Sequence, residues 1–506
     1  MADNLFGSAD QGKRSVLSSF FGKSRGQRRA ENNLGIIRLP TGSTKVPLYR
    51  NNALELFDAY YESRQYSHLT PWHQAKSCDG EYVPIRKRSP LINYAFSKVL
   101  AQRITSKLVG NQTFPTLKVE EDPDTQEYLR FVLKASDLKF RILEPVRRAM
   151  ISGSVLVRFY IEDGAYVVEH FLSKYCYPVL KANGEMSSCM VKYAYCDKDQ
   201  KDSNGNPKWF WFRMDLGEFQ DIQYQPAEFD PNAEEAREPD WQVESVADHQ
   251  MGFVQAEWFR TAEIRDSVDG YSLTCDILDY MDELNYSLSQ SSQAVSYNQD
   301  PQLTIKGMTE DELGGLIRSS QKAWTLGKEG EASFLESGLT GVQVAIELRD
   351  KMRVGLMDIS RVVLLDPEKL VASAQSGKAM EIMHGPMVEL IQELRPPIGK
   401  GIKNLTLKMA VANLVVTTRG LPAPVAMPPG YQPKSLAIEE SWPPIFPMTM
   451  EDLQKKIAVA SAASAANLIS RETGTRFIAE DFSIQDIEEE IQKIDVQKNL
   501  NPFGAF

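Results

Sequence analysis

The sequence predicts an α+β protein, and three observations predict it. Apolar residues recur at helical spacing over 89–151 and again from residue 277 onwards, β-like runs fill 155–216, and the two patterns are segregated rather than alternating. With 506 residues, 42% of them hydrophobic and 25% charged, the chain has material for several packed units.

Residues 1–33 are polar and locally basic (Lys13, Arg14, Lys23, Arg25, Arg28, Arg29) around an apolar island, Leu17 to Phe21. Composition alone makes them a disordered arm, and a contact arm is the functional alternative. From Ser89 to Leu108, the residues Leu91, Ile92, Ala95, Phe96, Val99, Leu100, Ile104 and Leu108 make a helix, which Gly110 stops. A second helix is expected over 124–151. Beyond Gly153 the runs VLVRFYI, AYVVEHFL, MVKYAYC and WFWFRMDL, separated by DG, NG and NGNP turn signals, predict an antiparallel sheet of several strands. The acidic stretch 220–250, rich in Pro, Asn and Glu, reads as a surface excursion before the chain returns as MGFVQAEWF.

Two amphipathic helices follow. The first carries Ile277, Met281, Leu284 and Leu288 in one stripe, and the second carries Leu348, Met352, Leu356, Ile359 and Val363. Residues 298–340 between them read as strand (QLTIKG), helix (Glu310 to Trp324) and strand (EASFLES). That module is too small to bury its own core securely, so packing on neighbours of its own kind is expected. After Asp366-Pro367 the small, flexible LVASAQSG leads into a helix with Met380, Met383, Met387, Leu390, Ile391 and Leu394, which Pro386 and Pro396-Pro397 are expected to kink or interrupt. Eight prolines make 419–447 an extended connection. Helices over Thr449 to Ile469 and Ser483 to Ile494 close the chain, with capping signals at Thr449/Asp452 and Ser483/Asp486. In the last helix, Ile484, Ile487, Ile491 and Ile494 share one face and acidic residues the other.

Several function classes have no residues to stand on. No run of ~18 apolar residues spells a membrane helix, and the N-terminus lacks the order of a secretory signal, so a cytoplasm-like setting is expected. The five cysteines, Cys78, Cys176, Cys189, Cys196 and Cys275, form no C-x-x-C pair and read as reduced small hydrophobes. His68, His73, His170, His249 and His384 show no metal-ligand spacing, so neither a metal nor another cofactor is expected. SAQSGKAM approaches a phosphate loop, but Ala372 and Ala379 stand where the loop needs Gly and Ser/Thr. With no nucleophile elbow either, no enzyme is expected. A net charge of -11 repels phosphates, so any contact with DNA is a loose one.

EWFRTAEIRDSVDGYSLTCDILDYMDELNYSLS is similar to the segment in which phage portal proteins pass through a Gly-containing turn into a stem helix; Gly270, Ser272, Asp282, Leu284, Asn285 and Ser289 occupy the pattern. KLVGNQTFPTLKV resembles the helix-Gly-strand entry to a portal wing, and ISGSVLVRFY a wing strand. NLISRETGTRFIAEDFSIQDIEEEI resembles the closing helix, "I-S-x-E-T" turn and acidic helix. In the family's order, these matches span Ser89 to Ile494 and are closest to portals of long-tailed phages; the 220–250 and 419–447 stretches do not align.

The resemblance implies the portal fold: an arm (1–33), a wing (34–265), stem helices (266–297 and 341–363), a clip (298–340), a tunnel loop (364–377), a kinked tunnel helix (378–418), a return to the wing (419–447) and a crown (448–506). It implies a homo-oligomeric ring, usually dodecameric, at one capsid vertex of the virion, assembled in the host cytoplasm. Double-stranded DNA passes through that ring in packaging and ejection. The implied partners are the large terminase, the major capsid protein, the head-tail adaptor and scaffold. Lys369, Gln375 and Lys378 are the residues expected to face the tunnel, against the plainer reading that they are loop and helix-start residues. Arg349, Arg353 and Arg361 either ring the channel, pair with the next subunit, or make ordinary surface salt bridges. Ile277, Met281, Leu284, Leu288, Leu348, Met352 and Ile359 are expected to pack the stem. Two competitors stay open: a phage neck or baseplate protein without a DNA channel, and a packaging nuclease or ATPase.

Overall fold

The computed structural model describes residues 36–38, 45–47, 50–68, 93–119, 122–201, 205–229, 239–264, 267–299, 302–306, 331–335, 340–363, 384–426, 438–445, 450–466 and 468–479, with 491, 493 and 494. The arm over 1–33, the helix expected over 310–324, the loop over 364–377 and both capping signals lie outside them. The chain is a mixture of helices and antiparallel strands, as the segregated patterns predict.

A short pair, β1 (Ile36–Arg38) and β2 (Lys45–Pro47), precedes α1 (Arg50–Tyr61) and α2 (Gln65–His68). Helix α3 (Phe96–Leu108) starts later than its periodicity suggests, because the backbone N–H of Tyr94 is taken by the Asn285 side chain at 2.6 Å. Strand β3 (Thr116–Val119) follows. The single helix expected over 124–151 is three: α4 (Pro123–Ala135), α5 (Leu138–Arg141) and α6 (Leu143–Ser152). Asp137 breaks it with φ of 52°, a left-handed conformation that no helix accommodates. Asp122 caps α4 by accepting from the Thr125 N–H.

The expected sheet is two sheets. β4 (Ser154–Glu162) lies between β5 (Ala165–Leu172) and β12 (Ala256–Arg260) in one. The other runs β11 (Val243–Asp248), β9 (Gln220–Tyr224), β8 (Pro207–Leu216), β7 (Met186–Lys201), β6 (Cys176–Leu180), with β10 (Ala227–Phe229) also on β8. The acidic 220–250 stretch thus contributes three strands, β9, β10 and β11. Its composition marked solvent exposure correctly, since β11 is exposed along its length, but backbone pairing with β9 needs no apolar side chains.

Strand β4 explains the division. Val155, Val157 and Phe159 point into the helical core, while Leu156 joins a second core with Cys189, Val191, Met214 and Trp258. A strand buried on both faces gives the unbroken VLV run rather than alternation. The helical core gathers Leu100 and Ile104 of α3, Val146 and Met150 of α6, and Ile391, Ile398 and Leu405 of α9 (Gly385–Thr418), all fully or nearly fully buried. Each such side chain contributes about 1.5–3 kcal/mol. Helix α9 runs uninterrupted through Pro396 and Pro397, held by this burial, and Pro386 sits in its first turn, where the missing N–H costs nothing.

α7 (Leu278–Gln299) and α8 (Thr340–Ser360) pack on each other, and β13 (Gln302–Lys306) pairs antiparallel with β14 (Glu331–Leu335) between them. Strand β15 (Ile438–Ser441) returns to pair with β3. α10 (Met450–Ala465) packs on α11 (Arg471–Ala479). Of the expected "I-S-x-E-T" turn, Ile469 and Ser470 lie in the bend between the two helices and Arg471 begins α11, with the Ser470 hydroxyl accepting from the Thr473 N–H at 3.0 Å.

Gly153 ends α6 with φ of 82°, and its carbonyl accepts from the N–H of Thr261 (3.0 Å) and of Gly270 (3.2 Å). A Cβ there would strike the Gly270 carbonyl. Gly153→Ala is therefore expected to cost about 2–4 kcal/mol in thermal unfolding. Gly205→Ala, at a similar φ of 81° but with nothing within 4 Å, should cost about 1 kcal/mol. Equal losses would refute the steric account.

Candidate functional site

One of the segments that carry the resemblance, Gly270 to Ser289, forms the root of α7. Its approach, Val268 to Thr274, is pinned to the end of α6: the Leu273 N–H donates to the Met150 carbonyl at 3.0 Å and the Ser272 hydroxyl to the Ile151 carbonyl at 2.5 Å. Asp269 is buried and accepts from Arg50 twice, Nε at 2.5 Å and Nη2 at 2.9 Å, and from the Ser154 hydroxyl at 2.6 Å. The remaining Arg50 donors go to the carbonyls of Ser173 and Cys176, both at 3.0 Å. The guanidinium thus ties α1, β4, the start of β6 and the approach to α7 together.

One turn into α7 lies a second joint. The Tyr60 hydroxyl donates to one oxygen of Asp282 at 2.6 Å, and Tyr66 donates to the other at 2.7 Å. Asn285, one turn on, accepts from the Tyr94 N–H and donates to the Tyr66 oxygen at 2.9 Å. The Ser289 hydroxyl closes the pattern on the Asn285 carbonyl at 2.7 Å. Asp282, Asn285 and Ser289 therefore sit on the buried face of α7 beside Met281 and Leu284. Burial pushes the Asp282 carboxyl up from 3.8 to about 6; Asp279 and Glu283 add to this, while the two tyrosines oppose it. Burial, reinforced by Asp282, keeps both tyrosines protonated as donors far above their ordinary range.

The predicted site residues are distributed unevenly around this joint. Ile277, Met281 and Leu284 are buried by their own chain, and Leu288 and Met352 are partly buried against the same core. Leu356 and Val362 complete the inward face of the second helix, whereas Leu348 (51% exposed) and Ile359 (40%) face outward. The expected single stripe is therefore split over two faces; on the inward one Gly355 abuts the Tyr280 ring. Arg349 pairs with neighbouring Asp350 at 2.7 Å and Arg361 with Glu393 at 2.9 Å, both surface pairs within the chain. Arg353 is exposed. Lys369, Gln375 and Lys378 lie outside the described residues. The chain leaves for them beside α3, where Arg103 reaches the Val363 carbonyl at 3.3 Å, and returns at buried His384, whose pKa is lowered by burial and by Lys107 and Arg103.

Arg50, Tyr60, Tyr66 and Asp269 escaped the sequence reading. Tyr60 and Asp282 stand 222 positions apart, so no local spacing links them. One signal was present: Asp282, Asn285 and Ser289 interrupt the apolar face of a helix at steps of three and four, which is unexpected unless they are bonded. Among the described residues, no group of three or more His, Cys, Asp or Glu is placed to hold a metal ion, and no helix is long and apolar enough to cross a membrane.

Fold and joint together define a mixed α/β body that carries a helical hairpin on a buried polar root. The chain belongs to a phage portal family: residues 50–499 match the family described as Phage portal protein, SPP1 Gp6-like. A chain from the virion of a native gene transfer agent particle is similar in structure at 10% identity and a TM-score of 0.37, over 76% of this chain and 89% of that one. No curated protein matches the sequence.

The joint makes stability depend on pH. An Asp whose folded pKa is raised stabilises fully below its unfolded value near 4, and that contribution is lost as pH rises through about 6, a change of about 3 kcal/mol. Asp282→Asn should flatten the thermal midpoint between about pH 4 and 6 relative to the parent chain. An unchanged slope in the variant would assign the titration elsewhere.

Proposed function

We propose that copies of this chain close into a ring, dodecameric as in the resemblance, at one capsid vertex of a tailed phage. The ring is the conduit for double-stranded DNA in packaging and ejection. It is also the platform on which the large terminase, the major capsid protein, the head-tail adaptor and scaffold dock. In this reading 34–265 is the wing, 266–297 and 341–363 the stem, 298–340 the clip, and 448–506 the crown. Lys369, Gln375 and Lys378 on the 364–377 loop and the start of the next helix face the tunnel.

The observation that carries the reading, beyond family membership, is the construction of the hairpin. Its root is fixed to the body through Asp269, Asp282 and Asn285, while Val344, Leu348, Val354 and Ile359 along α8 stay 40–60% exposed in a single chain. A row of exposed apolar residues on a rigid rod suits packing against an identical rod. The β13–β14 pair at its far end fits a clip that gains its stability from neighbours. Nothing in this role calls for chemistry, so the protein acts as a structural part and not as an enzyme. The charge of -11 fits a wall that does not hold its cargo, since many phosphate contacts repeated around a ring would act as a brake.

Electron microscopy of the purified chain, alone and with capsid protein, tests this directly: rings with an axial hole are expected. Leu348→Asp should leave the unfolding free energy of the isolated chain within about 0.5 kcal/mol of the parent, because the site is exposed. It should also shift sedimentation from ring to monomer. A parent chain that stays monomeric under both conditions would sink the reading.

A further inference from the structure

Two exposed surfaces of the body have opposite charge, and neither is used by the hairpin. The first lies on α4 and α5. Phe131 and Phe140 are 47% and 59% exposed there, amid Arg130, Lys134, Lys139 and Arg141. None of these four cations pairs with a carboxylate among the described residues; Arg141 donates only to the Val168 carbonyl, at 3.4 Å. Asp124, Glu127 and Asp137 are the carboxylates of this segment, so the four cations prevail by one in a chain whose overall charge is negative.

The second surface is the outer edge of the larger sheet. Strand β11 is exposed from end to end, with Val243 and Val246 at 52% and 51%, and Phe219 at 55% lies beside it, its carbonyl accepting from the Gln250 N–H. Glu244 and Asp248 are its charges. Each accepts from a glutamine, Gln223 at 3.0 Å and Gln250 at 2.5 Å, and neither meets a cation among the described residues. Strand β9 covers one side of β11 and no described strand covers the other.

We propose that these surfaces are two halves of one contact: the α4–α5 face of one copy seats the β11 edge of a second copy. The proposal rests on the ring reading and adds to it the surfaces by which the bodies, as distinct from the hairpins, meet. Each half joins large exposed apolar groups to charge that meets no opposite charge among the described residues, and the charges of the two halves are opposite. A large apolar group beside a solvated charge of the right sign is what the edge of a specific interface presents before assembly. Because the two halves are different surfaces of one chain, the contact is head-to-tail, the kind that propagates into a ring when its rotation closes. Glu244 and Asp248 on an edge that no described strand covers also discourage indiscriminate strand pairing, and a basic partner face relieves that repulsion. A polyanion as occupant of the α4–α5 face would leave the acidic β11 edge without a role, so a second copy accounts for both.

Charge exchange in the full-length chain tests the contact, read as the ring fraction by native mass measurement at fixed protein and salt concentration. Arg130→Glu with Lys134→Glu places acid against acid, and Glu244→Lys with Asp248→Lys places base against base. Each double variant should lower the ring fraction about tenfold. The chain carrying all four substitutions should recover it, because the charges are opposite again. All sites are exposed, and unchanged thermal midpoints would show that the variants fold. Rings in the parent and equally in both double variants overturn the pairing while leaving the ring reading intact, as does a folded fourfold variant that fails to recover. A parent chain that forms no ring overturns both.

Discussion

A carboxylate taken out of water without a cation must be satisfied by neutral donors, and the structure turns on one such group. Asp282 has Tyr60 on one oxygen and Tyr66 on the other, with Asn285 holding Tyr66 from behind. These bonds oppose the burial and the nearby carboxylates that push its pKa up. The group is therefore a weak contributor to stability and a strong contributor to position. Alternative packings of α7 would bury the charge with fewer donors, so the helix has one seat. A purely apolar root would bind as tightly but would define the register of the helix less strictly.

The second joint works in a different way. Arg50 and Asp269 form a buried bidentate pair whose remaining donors and acceptors are filled by carbonyls and by Ser154. Such a pair gives little net stability compared with apolar packing, but it fixes geometry at a place where four segments meet. The close approach of Gly153 and Gly270 beside it leaves no room for adjustment. The two joints lie thirteen residues apart, one on the approach to α7 and one in its second turn, so the direction in which the hairpin leaves the body is set by this short segment.

The body is built to hold these joints still. Strand β4 is shared by two cores, one helical and one between sheets, so displacing it would disturb both. Helix α9 crosses the back of this arrangement, and Tyr128 and Tyr166 each donate a hydroxyl to its carbonyls, at Ala410 and Met409. Membership of the portal family places this rigid body and its hairpin in a phage particle. The polar root is the part of the fold that translates burial in the body into orientation of the rod.

By itself the sequence determined whatever depends on local spacing. The four named strand runs, the existence of the two amphipathic helices, the strand pair between them and the stop at Gly110 follow from periodicity and turn residues, because side-chain alternation and backbone preference act within a few residues; which face of α8 turns inward does not. The motif around Gly270, Asp282 and Asn285 gave the family. Only the tertiary structure decided what lay across long separations: the partition into two sheets, the break of 124–151 at Asp137, the strands hidden in the acidic 220–250 stretch, and the partners of Asp269 and Asp282. Backbone pairing is indifferent to composition, and a buried charge is satisfied by whatever donor the fold brings to it. Tyr60 and Arg50 carry no local mark of the roles they play more than two hundred residues away.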